Sequence, residues 1–362
     1  MMLKKIGALV LLLSQAATLM AGTFVSAMNE NIRYVGRVSF ASGRYARYNY
    51  PGVQIRAVFQ GTSLKMKMKP NSGYYMVEID EAKPFKTQCP ENDSIMAIAE
   101  GLTQGVHNVT VTFVTEGLYH KPQFWGFVLD EGCSLPVPPR MPAHRIEFIG
   151  NSITCGFGIE GVNEKERFRY STQNQYYTYE AITARNLDAE CVVVARSGIG
   201  MYRNFSGKLL GDTEIMPAVY PYTLFGMKDE TWDFSQCIPD VVCINLGTND
   251  TSAPAYRIDL FRKNYMEFYH TLRNCYPNAK IVLLSGPMIK AGSKRETELN
   301  AALDQVMNEA HENGDAEVYR FDMTPEDGSM GWGSAWHPSK KRHARMAEEL
   351  TTFLQKITGW KI

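Results

Sequence analysis

The 362-residue sequence predicts two domains, an N-terminal all-β sandwich and a C-terminal α/β domain built on a parallel sheet. Three observations carry this. Residues 30–135 hold short alternating apolar stretches with no helix-length periodic segment between them. Residues 135–142 read LPVPPRMP, and this Pro-rich stretch marks a stiff boundary between unlike patterns. Beyond it, unbroken apolar strands alternate with helical segments, as in a parallel sheet covered on both faces.

The chain opens MMLKKIGALVLLLSQAATLMAGTFVSA. Lys4 and Lys5 precede an apolar run over 6–13, and small residues follow. This is the pattern of an export leader over residues 1–27, with Val25-Ser26-Ala27 as the expected cut and Ala21 as a second candidate. The run is shorter than the roughly 20 residues of a membrane span, so no stable membrane insertion is expected. The mature protein is expected to be secreted or periplasmic. The sandwich is assigned to residues 28–137, with strands at 53–59, 63–68, 74–79, 106–115 and 125–129. Pro51-Gly52, 70–73 and Asn92-Asp93 supply turns. The α/β domain is assigned to residues 143–362. Its strands are expected at 145–150, 190–195, 241–246, 279–285 and 317–321. Helices are expected at 176–187, 265–274, 296–312 and 341–356.

Lys and Arg total 38 and Asp and Glu total 38, which gives no support to a nucleic-acid partner that needs many phosphates neutralised. The 19 Tyr and the low charged fraction suit a secreted protein that handles polar, uncharged ligands. Seven Cys remain after the leader, an odd number, so at least one is outside any internal disulfide. There is no CxxC and no HExxH, and neither a metal nor a cofactor is expected.

The loops after the strands carry the chemistry, because ligands of parallel sheets bind beyond the C-terminal strand ends. Ser152 follows the first strand in GNSIT. Gly198 follows the second in RSGIG. Asn249 and Asp250 follow the third in GTND, and His337 precedes the last helix in WHPS. A serine hydroxyl becomes a nucleophile only beside a base, and His337 is placed to be that base. A tetrahedral oxyanion needs converging donors. The backbone N–H of Ser152, the N–H of Gly198 and the side-chain amide of Asn249 can meet at one point from adjacent strand ends. Glycine at 198 would let the backbone approach closely. Singly, each residue is equally at home as a cap or a turn; their order at successive strand ends is what points to a site. Asp250 is read as a brace for the Asn249 loop, and Cys155 as buried structure.

These residues resemble the SGNH hydrolases, with Ser152 in IGNSIT, Gly198 in ARSGIG, Asn249 in GTND and His337 in WHPS. The motif is not the lipase elbow G-x-S-x-G, because Thr154 stands where that needs Gly. The closer resemblance is to carbohydrate esterase family 2. It implies a jelly-roll sandwich joined to a three-layer SGNH domain, and an esterase that removes acetyl groups from xylan or glucomannan. The implied partner is an acetylated polysaccharide or oligosaccharide. One departure stands out. Most SGNH enzymes carry Asp three residues before the catalytic His, and here that position is Ser334. The resemblance then implies a Ser152–His337 dyad with a backbone carbonyl on the ring. Asp322 and Asp327 are alternative orienters. Trp332 and Trp336 flank the His loop and are candidates to stack on a sugar ring, with core packing as the competing role. Tyr45, Trp125 and Tyr119 suit either a binding face or a core. Two other readings remain at this stage: an SGNH esterase for another acyl ester, and a decayed site that only binds carbohydrate.

Overall fold

The computed structural model describes residues 22–117 and 120–361. Most of the expected leader lies outside the described residues, as does Tyr119.

The N-terminal domain pairs two antiparallel sheets. Its strands are β1 (Thr23–Ser26), β2 (Arg33–Val35), β3 (Ala46–Arg47), β4 (Gln54–Gly61), β5 (Leu64–Met68), β6 (Tyr74–Ile79), β7 (Phe85–Gln88), β8 (Ile95–Ala99), β9 (Gly105–Phe113) and β10 (Gln123–Leu129). One sheet runs β1-β10-β5-β8 with β3 also on β10, and the other runs β2-β4-β9-β6-β7. Alternation decides what is buried. In β4, Ile55, Ala57 and Phe59 share one core with Met66, Tyr75, Phe113 and Phe127. The short strands β1, β2, β3, β7 and β8 lack a clear alternating signal and form because neighbours offer them an edge. β1 pairs Thr23 with Leu129 through Ser26 with Gly126, so a cut at Ala27 would remove a strand.

The C-terminal domain comprises β11 (His144–Gly150), α1 (Ser152–Cys155), α2 (Tyr179–Asn186), β12 (Ala189–Ala195), α3 (Met216–Val219), β13 (Tyr222–Leu224), β14 (Met227–Thr231), β15 (Val241–Asn245), α4 (Ile258–Cys275), β16 (Lys280–Ser285), α5 (Lys294–Glu312), β17 (Val318–Asp322) and α6 (Lys340–Thr358). The parallel sheet has the order β12-β11-β15-β16-β17. One face buries Ile244 and Leu283 under Phe261, Tyr265 and Leu303 of α4 and α5. The other buries Phe148 and Cys243 under Tyr179 of α2 and Met346 and Leu350 of α6. This gives three layers. Strand order reverses around β11, and ligands of such sheets bind beyond the C-terminal strand ends at the point of reversal. The seven cysteines are all unpaired.

The domains are locked by a buried cation. Arg37 of the sandwich is fully buried and donates to the carbonyls of Tyr220 and Tyr222 and to Glu147 of β11. Tyr220 donates its hydroxyl to the other Glu147 oxygen at 2.6 Å. Burial pushes the Glu147 carboxyl up, and Arg37 opposes that shift.

Candidate active site

Three strands end on one line. Gly150 of β11 lies opposite Ala195 of β12 and Asn245 of β15. Ser152, Gly198 and Asn249 follow these ends by a few residues each, so their convergence is a consequence of register. Ser152 opens α1, a four-residue helix capped by the Asn151 side chain, which accepts from Ile153 N–H. Beneath it, Tyr179 joins Thr154 at 3.0 Å and Asn245 at 3.3 Å, a buried polar layer that fixes the floor.

His337 arrives differently. It sits in the long loop between β17 and α6, and β17 is at the far edge of the sheet. The loop folds back onto the segment after α1. Ser334 N–H donates to the Gly158 carbonyl at 2.8 Å and Ala335 N–H to the Glu166 carbonyl at 3.0 Å. The approach is close enough that a Cβ on Gly161 would lie 2.2 Å from Ser334 Oγ. Ala335 and Trp336 both have left-handed backbone, with φ of 51° and 62°. For residues with a Cβ this costs about 1–2 kcal/mol each. The turn aims the Ala335 carbonyl at the imidazole: His337 Nδ1 lies 2.9 Å from Ala335 O, and Nε2 lies 2.8 Å from Ser152 Oγ. A carbonyl only accepts, so Nδ1 carries the proton and Nε2 presents its lone pair to the serine hydroxyl. Protein atoms crowd the ring and lower its pKa to about 4, with the Ala335 and Ser334 backbone working against the shift. Phe157 packs on the imidazole at 4.4 Å and is itself stacked on Phe168 at 3.8 Å.

The donors stand as follows. The N–H groups of Ser152 and Gly198 have no protein acceptor among the described residues. Asn249 Nδ2 donates one hydrogen to the Ile199 carbonyl at 2.8 Å, which leaves its second hydrogen unclaimed. Gly198 is needed for its φ of 82°; a Cβ there would meet only Phe205 Cβ at 3.9 Å, so the demand is conformational rather than steric. Asp250 is buried, and its Oδ1 accepts from the N–H groups of Met201, Tyr202 and Arg203 at 2.8, 2.7 and 3.2 Å. It braces the loop that carries Gly198. Burial raises its pKa to about 6 against the pull of those three donors.

The two alternative orienters are elsewhere. Asp322 accepts from Ser285 and Arg320, and Asp327 accepts from Ser329. Ser334 is fully buried with its hydroxyl unpaired. Trp336 is 55% exposed and meets half-buried Trp332 edge to face, with centroids 5.5 Å apart. Tyr45 and Trp125 form a half-buried tilted pair at 4.7 Å on the sandwich. Burial pushes the Cys155 thiol well up, as suits a packing residue.

A family model described as "Carbohydrate esterase 2 N-terminal" matches residues 34–139, and one described as "GDSL-like Lipase/Acylhydrolase family" matches residues 148–345. The solved structure of a family two carbohydrate esterase from Clostridium thermocellum in complex with cellohexaose superposes with a TM-score of 0.84 and 33% identity, covering 91% of this chain and 100% of that one. The chain belongs to carbohydrate esterase family 2. It is 34% identical over 333 residues to the cellulase/esterase CelE of Acetivibrio thermocellus, which covers 92% of this chain but only 40% of CelE. An acetylxylan esterase / glucomannan deacetylase of Cellvibrio japonicus is 27% identical over 348 residues, covering 95% of this chain and 94% of that protein.

In this family 2 member the sandwich reaches the site, which no sequence motif announced. Glu116, just after β9, is buried and accepts from both the N–H and the hydroxyl of Ser197, the neighbour of Gly198. Gln173 bridges the same carboxylate to the Cys155 carbonyl at the end of α1, with bonds of 3.1 and 3.0 Å. One carboxylate thus ties the Gly198 loop to the helix that carries Ser152. Nothing local in the sequence marks Glu116, because its partner lies some 80 positions away.

Proposed function

We propose that this chain is a serine esterase that removes O-acetyl groups from plant cell-wall polysaccharides of the xylan and glucomannan type. Ser152 is the nucleophile and His337 the base. The observation that carries the reading is the 2.8 Å approach of His337 Nε2 to Ser152 Oγ, with the opposite ring nitrogen held by a carbonyl. That arrangement sets the reactive tautomer without a carboxylate.

His337 takes the hydroxyl proton as Ser152 Oγ attacks the acetyl carbonyl. The developing oxyanion accepts from Ser152 N–H, Gly198 N–H and the second Asn249 amide hydrogen. His337 then protonates the departing sugar oxygen, leaving an acetyl-serine. Water enters, His337 removes its proton as the oxygen adds to the acyl carbon, and the acyl bond breaks as His337 returns that proton to Ser152 Oγ, giving acetate and free Ser152. The Ala335 carbonyl offers the transient imidazolium less charge stabilisation than a carboxylate would. Exposed Trp336 adjoins His337 in the chain and exposed Phe205 lies beside Gly198, and aromatic faces suit the apolar face of a pyranose. The activities that name the Cellvibrio relative, acetylxylan esterase and glucomannan deacetylase, support this substrate class.

The test is acetate release from acetylated xylan and glucomannan, set beside Ser152→Ala and labelling by a serine-reactive organophosphonate. Turnover with labelling at Ser152 is expected, and the alanine variant should lose both. Sugar binding without labelling would overturn the assignment.

A further inference from the structure

We infer that the seam between the two domains holds a subsite for a carboxylate-bearing sugar, so that the preferred substrate is an acetylated acidic polysaccharide; this rests on the esterase reading above. A cleft of 480 Å³ lies between the sandwich and the β13–β14 hairpin. That is within the range of about 300–1,000 Å³ usual for small-ligand sites. Arg47, Lys69 and Lys121 line it, and its lining contains no Asp or Glu. None of the three forms an ion pair among the described residues. Arg47 Nη2 instead faces the Met227 thioether at 3.1 Å, a weak acceptor that leaves most of the guanidinium fork unclaimed.

The charge extends outward. The strands β1, β3, β5, β8 and β10 contain no carboxylate at all, and Lys65 and Lys67 alternate along β5 toward Lys69. Within these strands the charged residues Arg47, Lys65 and Lys67 are all cations, and the acids Asp130 and Glu131 stand beside Lys65 at the end away from the cleft. A cleft lined by one sign, with protein walls, concentrates ligands of the other, and an arginine fork matches a carboxylate.

The cleft is also joined to the reaction centre from both walls. On the sandwich side, Gly117 follows Glu116, which holds Ser197. On the hairpin side, Phe225 lies under the Arg196 guanidinium at 4.3 Å, two residues before Gly198. Asn49 pins the walls together, donating to the Phe225 carbonyl at 2.8 Å and accepting from its N–H at 2.9 Å. On this proposal a polymer with its acetyl group at Ser152 lays another of its units in the cleft.

The experiment compares acetylated glucuronoxylan with the same polymer after enzymatic removal of its uronic acids, at matched acetyl content. A KM about tenfold lower on the acidic polymer is expected, with the difference shrinking in 0.5 M NaCl. In the Arg47→Ala/Lys69→Ala/Lys121→Ala variant the two KM values should converge. Lys263→Ala, a remote surface cation on α4, should keep the tenfold ratio. Equal KM values for the two polymers in the unmodified protein, or an unchanged ratio in the triple variant, would overturn the subsite. Failure to release acetate from either polymer or from 4-nitrophenyl acetate would count against the esterase reading instead. Affinity electrophoresis in glucuronoxylan gels then decides the cleft by itself: retardation lost in the triple variant supports it, and absence of retardation refutes it.

Discussion

The acid limb of the pH profile reports on how His337 is held. Crowding by protein atoms takes its pKa to about 4, against 6.5 for the free side chain, and no carboxylate among the described residues opposes that shift. A general base must be neutral to act. At pH 5 an imidazole of pKa about 4 is roughly 90% neutral, whereas one of pKa 6.5 is only about 3% neutral. The expected kcat/KM at pH 5 is therefore within roughly 10% of its value at pH 7, about thirtyfold above what an ordinary histidine would support. The assay is acetate release from acetylated xylan between pH 3.5 and 8 at constant ionic strength. Enzyme preincubated at each pH and returned to pH 7 separates titration from unfolding. Asp250, itself raised to about 6, is the other site group that titrates in this range, so the profile is measured in Asp250→Asn as well; an acid limb centred at pH 6 or above in both proteins would refute the reasoning, since it would require a negative partner at the ring that compensates burial.

Three further outcomes are expected. Ser334→Asp should not restore a triad: position 334 is fully buried against Gly158 and Gly161, and the Ala335 carbonyl already occupies His337 Nδ1. A carboxylate there should cost about 3 kcal/mol in urea unfolding with no gain in kcat; a higher kcat at unchanged stability would sink the idea. Arg37→Ala strands the buried Glu147 carboxylate and should cost about 3–5 kcal/mol, while Arg37→Met/Glu147→Gln should recover much of it; a single-variant loss under about 1 kcal/mol would contradict the lock. His343 is buried and accepts from Tyr179 N–H, and burial lowers its pKa to about 3. The unfolded chain binds this proton below pH 6.5 while the folded chain resists it, so stability should fall as pH drops from about 6.5 toward 3. Melting curves of His343→Gln should show a shallower fall; an identical slope would refute it.

Mass spectrometry of the protein recovered after expression in a secreting host tests the expected leader and the strand together. Because Thr23–Ser26 pairs along β10, a first residue at Gly22, after Ala21, is expected. A start at Met28 with unchanged melting temperature would mean that β1 contributes little.

Strong local patterns are legible in the sequence by itself. The apolar strands of the parallel sheet need both faces covered, so they are recognisable as unbroken runs. The long helices carry one apolar stripe each. The beginning of α4 was less visible: it starts at Ile258, seven residues before the expected 265, because its first turns are only partly covered by the core. The edge strands and the β13–β14 hairpin were hidden for a related reason, since pairing with a neighbour rather than burial of a periodic face makes them. Gly198 was expected for close approach, but its backbone angle turned out to be the requirement.

The residue types Ser152, Gly198, Asn249 and His337, and their order at strand ends, could be read from the linear chain because short loops after paired strands inherit their positions from the sheet. How His337 is oriented could not. That depends on a loop crossing from the far sheet edge, on two left-handed residues in succession, and on glycines that let the loop seat, all of which are long-range geometry. The same holds for Glu116 and Arg37, which act on partners in the other domain: only folding brings such groups together, and burial then raises the cost of leaving either one unpaired.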